Sequence, residues 1–407
     1  MQAIIDKPGD KTELLDLIKS DYREDAAIFC GGLEARAADF AGIDLDTSSK
    51  KAALVDLSAL NKVHEHIPSD MVIGVQTGIL ISELSAILAE HGQLFPVDLQ
   101  ERDCRLIDVI NRGDGGYLEQ GYGYLRSSIL GVELVYEGGK NVRLGGRVVK
   151  NVTGFDLTKL VVGGRGAFGI PHFAYLRLFA RPEATLNFVL EGRGAADLLF
   201  LASKLGACGV PLTALELVEK INVAQNYSYV LIVQIGGTRL HVAEISKQIR
   251  LLVNQEKEHV SILELSCEEL AEAYPVMVRT ADISLEVSLS RASASALIDH
   301  LASFAERGTL RYRQAMGRLF LDCPDASTLA NAAHLVGDFL SSTKRKTGGN
   351  ALAEFDQAIV GKSVGPFIFS SSAERTGDAD IASVIGNLRR TFDPLACFGQ
   401  GVTFHGR

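Results

Sequence analysis

The sequence predicts an α+β protein of two domains, the second built on an antiparallel sheet covered by helices. Its 407 residues exceed the length of one ordinary domain. From about residue 185 onward, strand and helix patterns alternate in two similar sets. Forty glycines against ten prolines indicate many tight turns in a packed chain. We place the domains at 1–182 and 183–345, and we expect 346–407 to return to the first domain.

The first domain is predicted to begin with an amphipathic helix, KTELLDLIK (11–19), because its apolar residues recur at helical spacing. A short strand, DAAIF (25–29), then runs into a glycine turn. Further strands, a helix and a hairpin are predicted, in chain order, at AALVDLSAL (52–60), MVIGVQTG (71–78), ISELSAILAEHG (81–92), ILGVELVYEGGKNVRL (129–144) and IPHFAYLRLFARP (170–182).

The second domain repeats a strand and helix rhythm. Its predicted elements are TLNFVLEG (185–192), AADLLFLASKLGACG (195–209), TALELV (213–218), YVLIVQIGG (229–237), HVAEISKQIRLLVNQ (241–255), DISLEVSLS (282–290), ASALIDHLASFAERG (294–308), RLFLDC (318–323) and ASTLANAAHLVGDFLSS (326–342). The segment SSTKRKTGGNALAEF (341–355), with the basic cluster Lys344 to Lys346, predicts a loop. A last helix is expected to stop at Asp393-Pro394.

Composition excludes several classes of protein. The net charge of −9 argues against nucleic acid or an anionic membrane surface as the main partner. No secretory leader or bilayer-spanning run is visible, and six dispersed cysteines without a C-x-x-C pair suit reduced thiols. We therefore expect a cytoplasmic protein, or one held peripherally at a membrane through partners. His64 and His66 fall in NKVHEHIPSD (61–70), which is typical of a solvated loop, so no metal site is predicted.

The stretch GGRGAFG (163–169) matches the G-x-G-x-x-G spacing of a dinucleotide loop through Gly164, Gly166 and Gly169. That loop requires a strand before it, for which KLVV (159–162) is the candidate, and a helix that starts inside it. The residues that follow, IPHFAYLRLFARP, predict a strand instead. The pattern therefore favours a glycine loop between strands, which binds a flavin nucleotide through backbone amides or serves only as a turn.

A longer segment, GGRVVKNVTGFDLTKLVVGGRGAFGI (145–170), resembles the signature of the FAD-binding subunit family of bacterial glycolate oxidase, within the vanillyl-alcohol oxidase/p-cresol methylhydroxylase (PCMH-type) superfamily. The match includes Asn151, Gly154 and Asp156. Five further segments agree in order, namely LVDLSALNKV (54–63), VIGVQTGILISELSAILAEHGQLFPVD (72–98), GYGYLRSSILGVELVYEGGK (121–140), PLTALELV (211–218) and FDPLACFGQG (392–401). The resemblance implies a PCMH-type FAD-binding domain of two α+β subdomains, followed by a cap domain.

The resemblance also implies non-covalently bound FAD and assigns residues to its site. The implied cofactor contacts are Cys30, Gly31, Gly32, Leu33, Pro96, Asp98, Gly113, Gly116, Tyr122, Gly123, Gly163, Gly164, Gly166, Ala167, Gly169 and Ile170. Candidate cations for the carboxylate of a 2-hydroxy acid are Arg147, Lys150 and Arg165, each of which could equally be a surface residue. No catalytic base is identified.

The sequence departs from this family at the positions that would hold phosphate. The family's phosphate turn is rich in glycine and carries a hydroxyl side chain, whereas FCGGLEA (29–35) has no hydroxyl. The family's second phosphate segment is small and rich in glycine, whereas RLIDVINRGDGG (105–116) begins with bulky residues. Two functions therefore remain open. The first is an FAD-binding subunit of a glycolate or lactate oxidoreductase complex, with a second flavin subunit and an iron–sulfur subunit as partners. The second is a flavin-free structural subunit of such a complex; sugar-lactone oxidation and enolpyruvyl reduction are further alternatives on this fold.

Overall fold

A computed structural model describes the chain at residues 4–21, 26–31, 51–98, 104–113, 115–148, 156–164, 166–192, 194–219, 229–255, 260–273, 283–288, 291–301, 304, 308–314, 316–346, 360–364 and 367–371. These residues form helices packed on a parallel sheet and on two larger antiparallel sheets. The predicted α+β class is confirmed. Among the described residues, no helix is both long enough and apolar enough to cross a bilayer.

The first layer is a parallel sheet whose described strands are ordered β1-β3-β2. They are β1 (Ile4–Asp6), β2 (Ala26–Gly31) and β3 (Lys51–Asp56). Helix α1 (Lys11–Asp21) lies between β1 and β2 in the chain, and its residues Leu14 and Ile18 share one helical face and are fully buried. Asp10 caps this helix, because its Oδ1 accepts two backbone N–H groups of the first turn at 2.7 and 3.0 Å.

The second layer is an antiparallel sheet of five described strands in the order β4-β5-β9-β7-β8. These strands, together with the short pair β6 and β10, are β4 (Val63–Ile67), β5 (Val72–Gln76), β6 (Gln93–Leu94), β7 (Ile129–Tyr136), β8 (Lys140–Gly145), β9 (Ile170–Arg177) and β10 (Phe179–Ala180). The prediction of a solvated loop at 61–70 is wrong for β4, because β4 pairs with β5 and is half-buried along most of its length.

Short helices cover the inner face of this five-stranded sheet. They are α2 (Ile81–Ala89), α3 (Leu106–Arg112), α5 (Leu125–Ser128) and α6 (Thr158–Val161), and a further short helix, α4 (Glu119–Tyr122), lies between α3 and α5 in the chain. The core beneath them includes Ile73, Val132 and Ala174 from the sheet and Leu84 from α2. The candidate strand at 159–162 is wrong, because residues 158–161 form α6 and no strand precedes the glycine loop there. A dinucleotide-binding strand–loop–helix unit is therefore absent from 158–177.

A separate apolar cluster joins the two layers. Leu14 of α1 and Val55 of β3 pack with Ile107 of α3, Val135 of β7 and Ile170 of β9. All five side chains are at most 1% exposed. Because these residues come from distant parts of the sequence, burying them fixes the parallel sheet against the antiparallel one.

The second domain is a larger antiparallel sheet whose nine described strands are ordered β14-β11-β13-β12-β16-β17-β15-β18-β19. The strands are β11 (Ala184–Gly192), β12 (Leu212–Glu219), β13 (Tyr229–Gly237), β14 (Val260–Leu265), β15 (Ile283–Ser288), β16 (Thr309–Arg313), β17 (Arg318–Cys323), β18 (Val360–Val364) and β19 (Phe367–Ser371). The helices are α7 (Ala195–Ala207), α8 (Arg239–Gln255), α9 (Cys267–Ala273), α10 (Arg291–His300) and α11 (Ala326–Lys346).

Strand residues alternate between the two faces of this sheet. Odd-numbered residues of β12, such as Leu215 and Leu217, join a large core with α7, α8, α10 and α11. Beyond the bulge between Leu212 and Ala214, even-numbered residues face the other way, where Val218 packs with Tyr117 of the first domain. We call this second side the inner face of the cap sheet.

The ends of the cap sheet define the domain limits. The chain leaves the first domain after Ala180, which pairs with β6, and enters the cap sheet at Ala184. Strands β18 and β19 extend the cap sheet through β15, so residues 360–371 lie with the cap. The prediction that the tail returns to the first domain therefore remains a prediction for 372–407, which lie outside the described residues. The predicted loop at Lys344 to Lys346 is wrong, because α11 continues to Lys346.

Candidate cofactor site

The carboxyl edge of the parallel sheet places three residues in one row. Gly31 ends β2 and lies opposite Asp56, the last residue of β3. Lys7, directly after β1, brings its Nζ to 3.8 Å from an oxygen of Asp56. Asp56 is buried and accepts hydrogen bonds from the backbone N–H and the hydroxyl of Ser58 at 2.8 and 2.9 Å. The end of β2 therefore lies in the same row as an ammonium group, at the edge where parallel sheets bind phosphates.

Gly113 and Gly163 meet backbone to backbone. A Cβ added to Gly113 would lie 2.6 Å from the Cα of Gly163, closer than real Cβ contacts allow. The N–H of Gly163 donates to the carbonyl of Ile110 at 2.8 Å. Gly163 is exposed, and Gly113, Gly164 and Gly166 are half-buried. We call these four residues the glycine seam.

Glycine also sets the shape of the loop 163–169. Gly163, Gly166 and Gly169 have φ angles of 80°, 75° and 123°, which other residues rarely adopt. Successive tight turns close from the N–H groups of Gly164, Ala167 and Gly169 to carbonyls three residues back. Ala167 and Ile170 are buried beneath the loop. The seam thus presents bare backbone to the surface, which suits the close approach of a flat ring system.

The first turn of α3 has a different environment. The N–H groups of Leu106, Ile107 and Asp108 donate to the carbonyls of Ile79, Thr77 and Arg105, at 3.0, 2.7 and 3.0 Å respectively. All three side chains are at most 2% exposed. These amides are therefore committed to the protein backbone, and the bulk predicted from the sequence is packed into the core.

A compact segment at 115–123, which contains the one-turn helix α4 and which we call the loop 115–123, carries several of the predicted cofactor residues. Asp98 accepts the N–H of Tyr117 at 2.6 Å and lies directly against Gly116, whose φ is 85°. The carboxylate of Glu119 accepts the N–H groups of Gly115 and Leu125 at 3.1 and 2.8 Å. These bonds close the loop on itself. Pro96 is buried under it, and the ring of Tyr122 contacts Phe179 edge-on, with ring centroids 5.0 Å apart.

Two buried arginines lie on the inner face of the cap sheet. Nε of Arg311 contacts Asp322 at 2.8 Å, and Nε of Arg313 contacts Glu216 at 3.4 Å. Both guanidinium groups also stack on Phe320, at 5.3 and 4.6 Å from its centroid. Burial alone would lower the pKa of Arg311, but the carboxylates of Asp322 and Glu216 outweigh burial and raise it. The cluster is therefore an ion-paired network of two cations and two anions.

A second charged group borders the glycine loop. His172, two residues after Ile170, is 3% exposed, and its Nε2 lies 2.9 Å from Oδ1 of Asn141. The carboxylate of Glu133 forms ion pairs with Nζ of Lys11 at 2.7 Å and with a guanidinium nitrogen of Arg143 at 2.9 Å. It also lies 3.8 Å from Nε2 of His172. Burial, helped by the nearby Lys11 ammonium, lowers the pKa of His172 to about 4. The imidazole is therefore neutral at physiological pH.

The structure brings the predicted site residues together only in part. The seam, the loop 163–169 and the loop 115–123 all belong to the first domain, and Cys30 and Gly31 end β2. Gly32, Leu33, Lys150 and Arg165 lie outside the described residues. Arg147 is exposed and pairs with Glu65 at 2.8 Å, so it is not a free cation. Among the described residues, no cluster of histidines, cysteines and carboxylates suits a metal ion.

Some residues near the site were missed by the sequence reasoning. They are Lys7, Asp56, Tyr117, Glu216, Arg311, Arg313 and Asp322. A signal existed for the arginines, because TLRYR (309–313) alternates charged and apolar residues, as a strand with one polar face does. No comparable signal marks Lys7, since only the pairing of β1 with β3 brings it to the edge.

The geometry permits a test of the cofactor implied by the sequence. The glycine seam is compatible with the flavin half, because Gly163 is exposed and has no side chain, while the missing Cβ of Gly113 lets the two backbones pack together. Lys7 supplies an ammonium group at the sheet edge where β2 ends, which is a candidate contact for phosphate. The N–H groups of Leu106, Ile107 and Asp108 in the first turn of α3 already donate to backbone carbonyls. The described residues are therefore compatible with FAD, and the seam and the sheet edge are the candidate elements for holding it.

Comparison with known proteins agrees with this geometry. Residues 8–145 match the family described as FAD binding domain. The chain is 24% identical over 231 residues to a D-lactate dehydrogenase of Anaerostipes hadrus, covering 56% of this chain and 48% of that one. It is 31% identical over 140 residues to glycolate oxidase subunit GlcD of Bacillus subtilis, covering 34% and 30%. Glycolate oxidase subunit GlcE of Escherichia coli is 27% identical over 139 residues, covering 34% and 40%.

The alignments span less than half the length of each of these relatives. Among solved structures, an alkyldihydroxyacetonephosphate synthase superposes with a TM-score of 0.69 at 14% identity, covering 97% of this chain and 75% of that one. At this identity the similarity concerns the fold. The predicted fold and the predicted cofactor, FAD, are both confirmed at the level of the domain. Residues 8–145 therefore carry an FAD binding domain.

Proposed function

We propose that this chain is the FAD-binding subunit of a 2-hydroxy-acid oxidoreductase complex that oxidises glycolate or lactate and passes electrons to an external acceptor. The observation that carries the proposal is the glycine seam, of which Gly113 lies within the residues that match the FAD binding domain. The names of the relatives, glycolate oxidase subunits and a D-lactate dehydrogenase, support the substrate class. Bound FAD would accept the two electrons removed from the hydroxy acid.

The described residues contribute binding and orientation. The contacts proposed for FAD are those implied by the sequence, together with Lys7 at the phosphate edge. Gly113 and Gly163 let the ring system lie against backbone, and Asp98 and Glu119 hold the loop 115–123 in one shape. A preformed loop of this kind lowers the ordering cost of binding.

The ion-paired cluster of Arg311 and Arg313 on the cap sheet does not offer a free cation for the substrate carboxylate. A carboxylate at Arg311 or Arg313 would compete with Asp322 and Glu216, which already neutralise both cations. Arg147 is likewise paired. We infer that the hydroxy-acid site is completed by a partner subunit, and that Lys150 and Arg165 remain the candidate cations of this chain.

The proposed partners are a second flavin subunit and an iron–sulfur subunit. The names GlcD and GlcE support an assembly of different subunits. The cysteines of this sequence lie far apart, which is why the iron–sulfur cluster is assigned to another chain. We propose a cytoplasmic location, or one at the membrane surface through these partners. The alternative of a flavin-free structural subunit is opposed by the family match and by the exposed seam.

Purification of the tagged chain from its native host tests the proposal. We expect it to recover a larger flavoprotein and an iron–sulfur protein, with visible flavin absorbance in the isolated chain itself. Recovery of this chain alone, as an oxidase active with dyes, would contradict the complex. Recovery of the complex with a colourless chain would instead support the structural alternative.

A further inference from the structure

We propose that Tyr117 is a positioning residue through which the cap sheet fixes the loop 115–123 and so sets the affinity for FAD. The inference rests on the proposed function, because the loop contains Gly116, Tyr122 and Gly123, which are assigned to the cofactor. It goes further by giving the cap domain a part in cofactor binding through one side chain.

Tyr117 belongs to the first domain but packs into the second. Its ring lies against the apolar part of the inner face, formed by Val189, Val218, Val230, Ile232 and Leu270. These residues come from strands β11, β12 and β13 and from helix α9. The ring therefore reaches three strands of the cap sheet from a loop of the FAD binding domain.

The hydroxyl of Tyr117 has a built polar partner. It is hydrogen-bonded to the side chain of Gln234. Gln234 is itself held on both sides, because its amide nitrogen donates to Asn187 at 2.9 Å and its oxygen accepts from Thr213 at 3.0 Å. Burial, with Asp98 and other nearby anionic groups, raises the pKa of Tyr117, so the phenol stays protonated.

The backbone of the same loop is fixed against the cap sheet at Gly121, four residues after Tyr117. A Cβ on Gly121 would come within 2.7 Å of the Cα of Thr213, so the loop and β12 touch backbone to backbone. Asp98 and Glu119 hold the remainder of the loop from the side of the FAD binding domain. The side chain of Tyr117 is thus the polar anchor of the loop on the cap, and Asp98 is its anchor on the first domain.

The chain offers a matched control. Tyr229 is a buried tyrosine of the cap sheet, and its hydroxyl bonds to Glu219 within the cap. Replacing Tyr229 with phenylalanine also deletes one buried hydroxyl bond in β13, but that bond has no link to the loop. A general loss of sheet stability would therefore affect both variants alike.

The test compares Tyr117→Phe with Tyr229→Phe in the full chain. Deuterium uptake of the peptide covering 115–123 is measured without cofactor, and the dissociation constant of FAD is measured by fluorescence titration. We expect Tyr117→Phe to exchange faster in this peptide and to bind FAD about 5-fold more weakly, as the loss of one net hydrogen bond implies. Tyr229→Phe should match the wild type in both measurements.

Unchanged uptake in Tyr117→Phe would overturn the inference, and so would equal losses in the two variants. Faster uptake with unchanged FAD affinity would also overturn it, because the loop would then not set affinity. If the wild type takes up no FAD, the proposed function fails. The uptake comparison still decides, in that case, whether Tyr117 holds the loop on the cap.

Discussion

The two parts of the cofactor site that the structure describes in most detail differ in how the backbone is used. At the glycine seam, Gly113 and Gly163 bring two backbones into contact at the surface. At the first turn of α3, Leu106, Ile107 and Asp108 are buried, and their N–H groups donate to neighbouring carbonyls. The seam is available to a ligand, whereas the turn is part of the core. If FAD binds as proposed, the seam and the sheet edge rather than the first turn of α3 are the elements that would contact it.

Thr77 connects these two parts. Its carbonyl accepts the N–H of Ile107 at 2.7 Å, and its hydroxyl donates to the carbonyl of Pro171 at 2.7 Å. Its own N–H donates to His172 at 3.0 Å. The start of α3 and the start of β9, which follows the glycine loop, are therefore held by one buried residue. The comparison predicts that core changes at α3 and steric changes at the seam have distinguishable effects.

The largest effect is expected for Ile107→Ala. Ile107 is fully buried where α1, β3, β7 and β9 meet, so its truncation leaves a cavity between the two layers. We expect a loss of about 2–5 kcal/mol in the free energy of unfolding, measured by urea denaturation. A loss below about 1 kcal/mol would mean that the turn is a tolerant surface, and would remove the contrast with the seam.

The next effect concerns Gly113→Ala. The new Cβ would strike Gly163, and the φ of 67° disfavours a side chain, so we expect a loss of about 2–4 kcal/mol together with weaker FAD binding. Gly138→Ala is the control, because its φ is 62° and nothing lies within 4 Å of its added Cβ. Only the backbone cost of about 1–2 kcal/mol should then appear. Equal losses in the two variants would show that the seam is not tightly packed.

A pH-dependent effect is expected beside the glycine loop. The unfolded chain protonates His172 near its ordinary pKa of 6.5, while the folded chain resists protonation until about pH 4. Stability from this group is therefore present above pH 6.5 and lost as the pH falls toward 4. We expect the wild type to lose about 1–3 kcal/mol across this window relative to His172→Gln. Parallel stability curves for the two proteins would contradict the buried neutral imidazole.

The smallest effect is expected for Thr77→Val. This change keeps the shape of the side chain and removes the hydrogen bond to Pro171, so about 1 kcal/mol should be lost. Thr12→Val on the exposed face of α1 makes the same substitution without a buried bond and should change stability by less than about 0.5 kcal/mol. If the two variants behave alike in urea, Thr77 does not link the two parts of the site.

Much of the fold could be predicted from periodicity. The hairpin with its turn at 137–139, α2, α7 and the strand–helix rhythm of the cap were all predicted from sequence and are present in the structure. The prediction of a loop at β4 was wrong because VHEHI is too polar to show an apolar strand pattern, and its place in the sheet rests on backbone pairing with β5. The last residues of α11 were predicted as a loop because Lys344 to Lys346 are all basic and show no apolar periodicity, although the helix extends through them.

The site was predictable where steric demand selects glycine. The need for a positive φ at Gly163, Gly166 and Gly169 leaves a direct mark on the sequence. Long-range electrostatics leaves no such mark. Arg311 and Glu216 lie 95 positions apart in sequence and meet only through the pairing of β12 with β16. Tyr117 is likewise set apart only by the packing of a loop from one domain on the sheet of the other.

The most direct test of the account is a titration of the apoprotein with FAD, followed by flavin fluorescence and absorbance. We expect the apoprotein to bind one FAD per chain, saturably and without a covalent bond, and to release the FAD when it is denatured. Colourless protein that takes up no FAD at any concentration tested would contradict it.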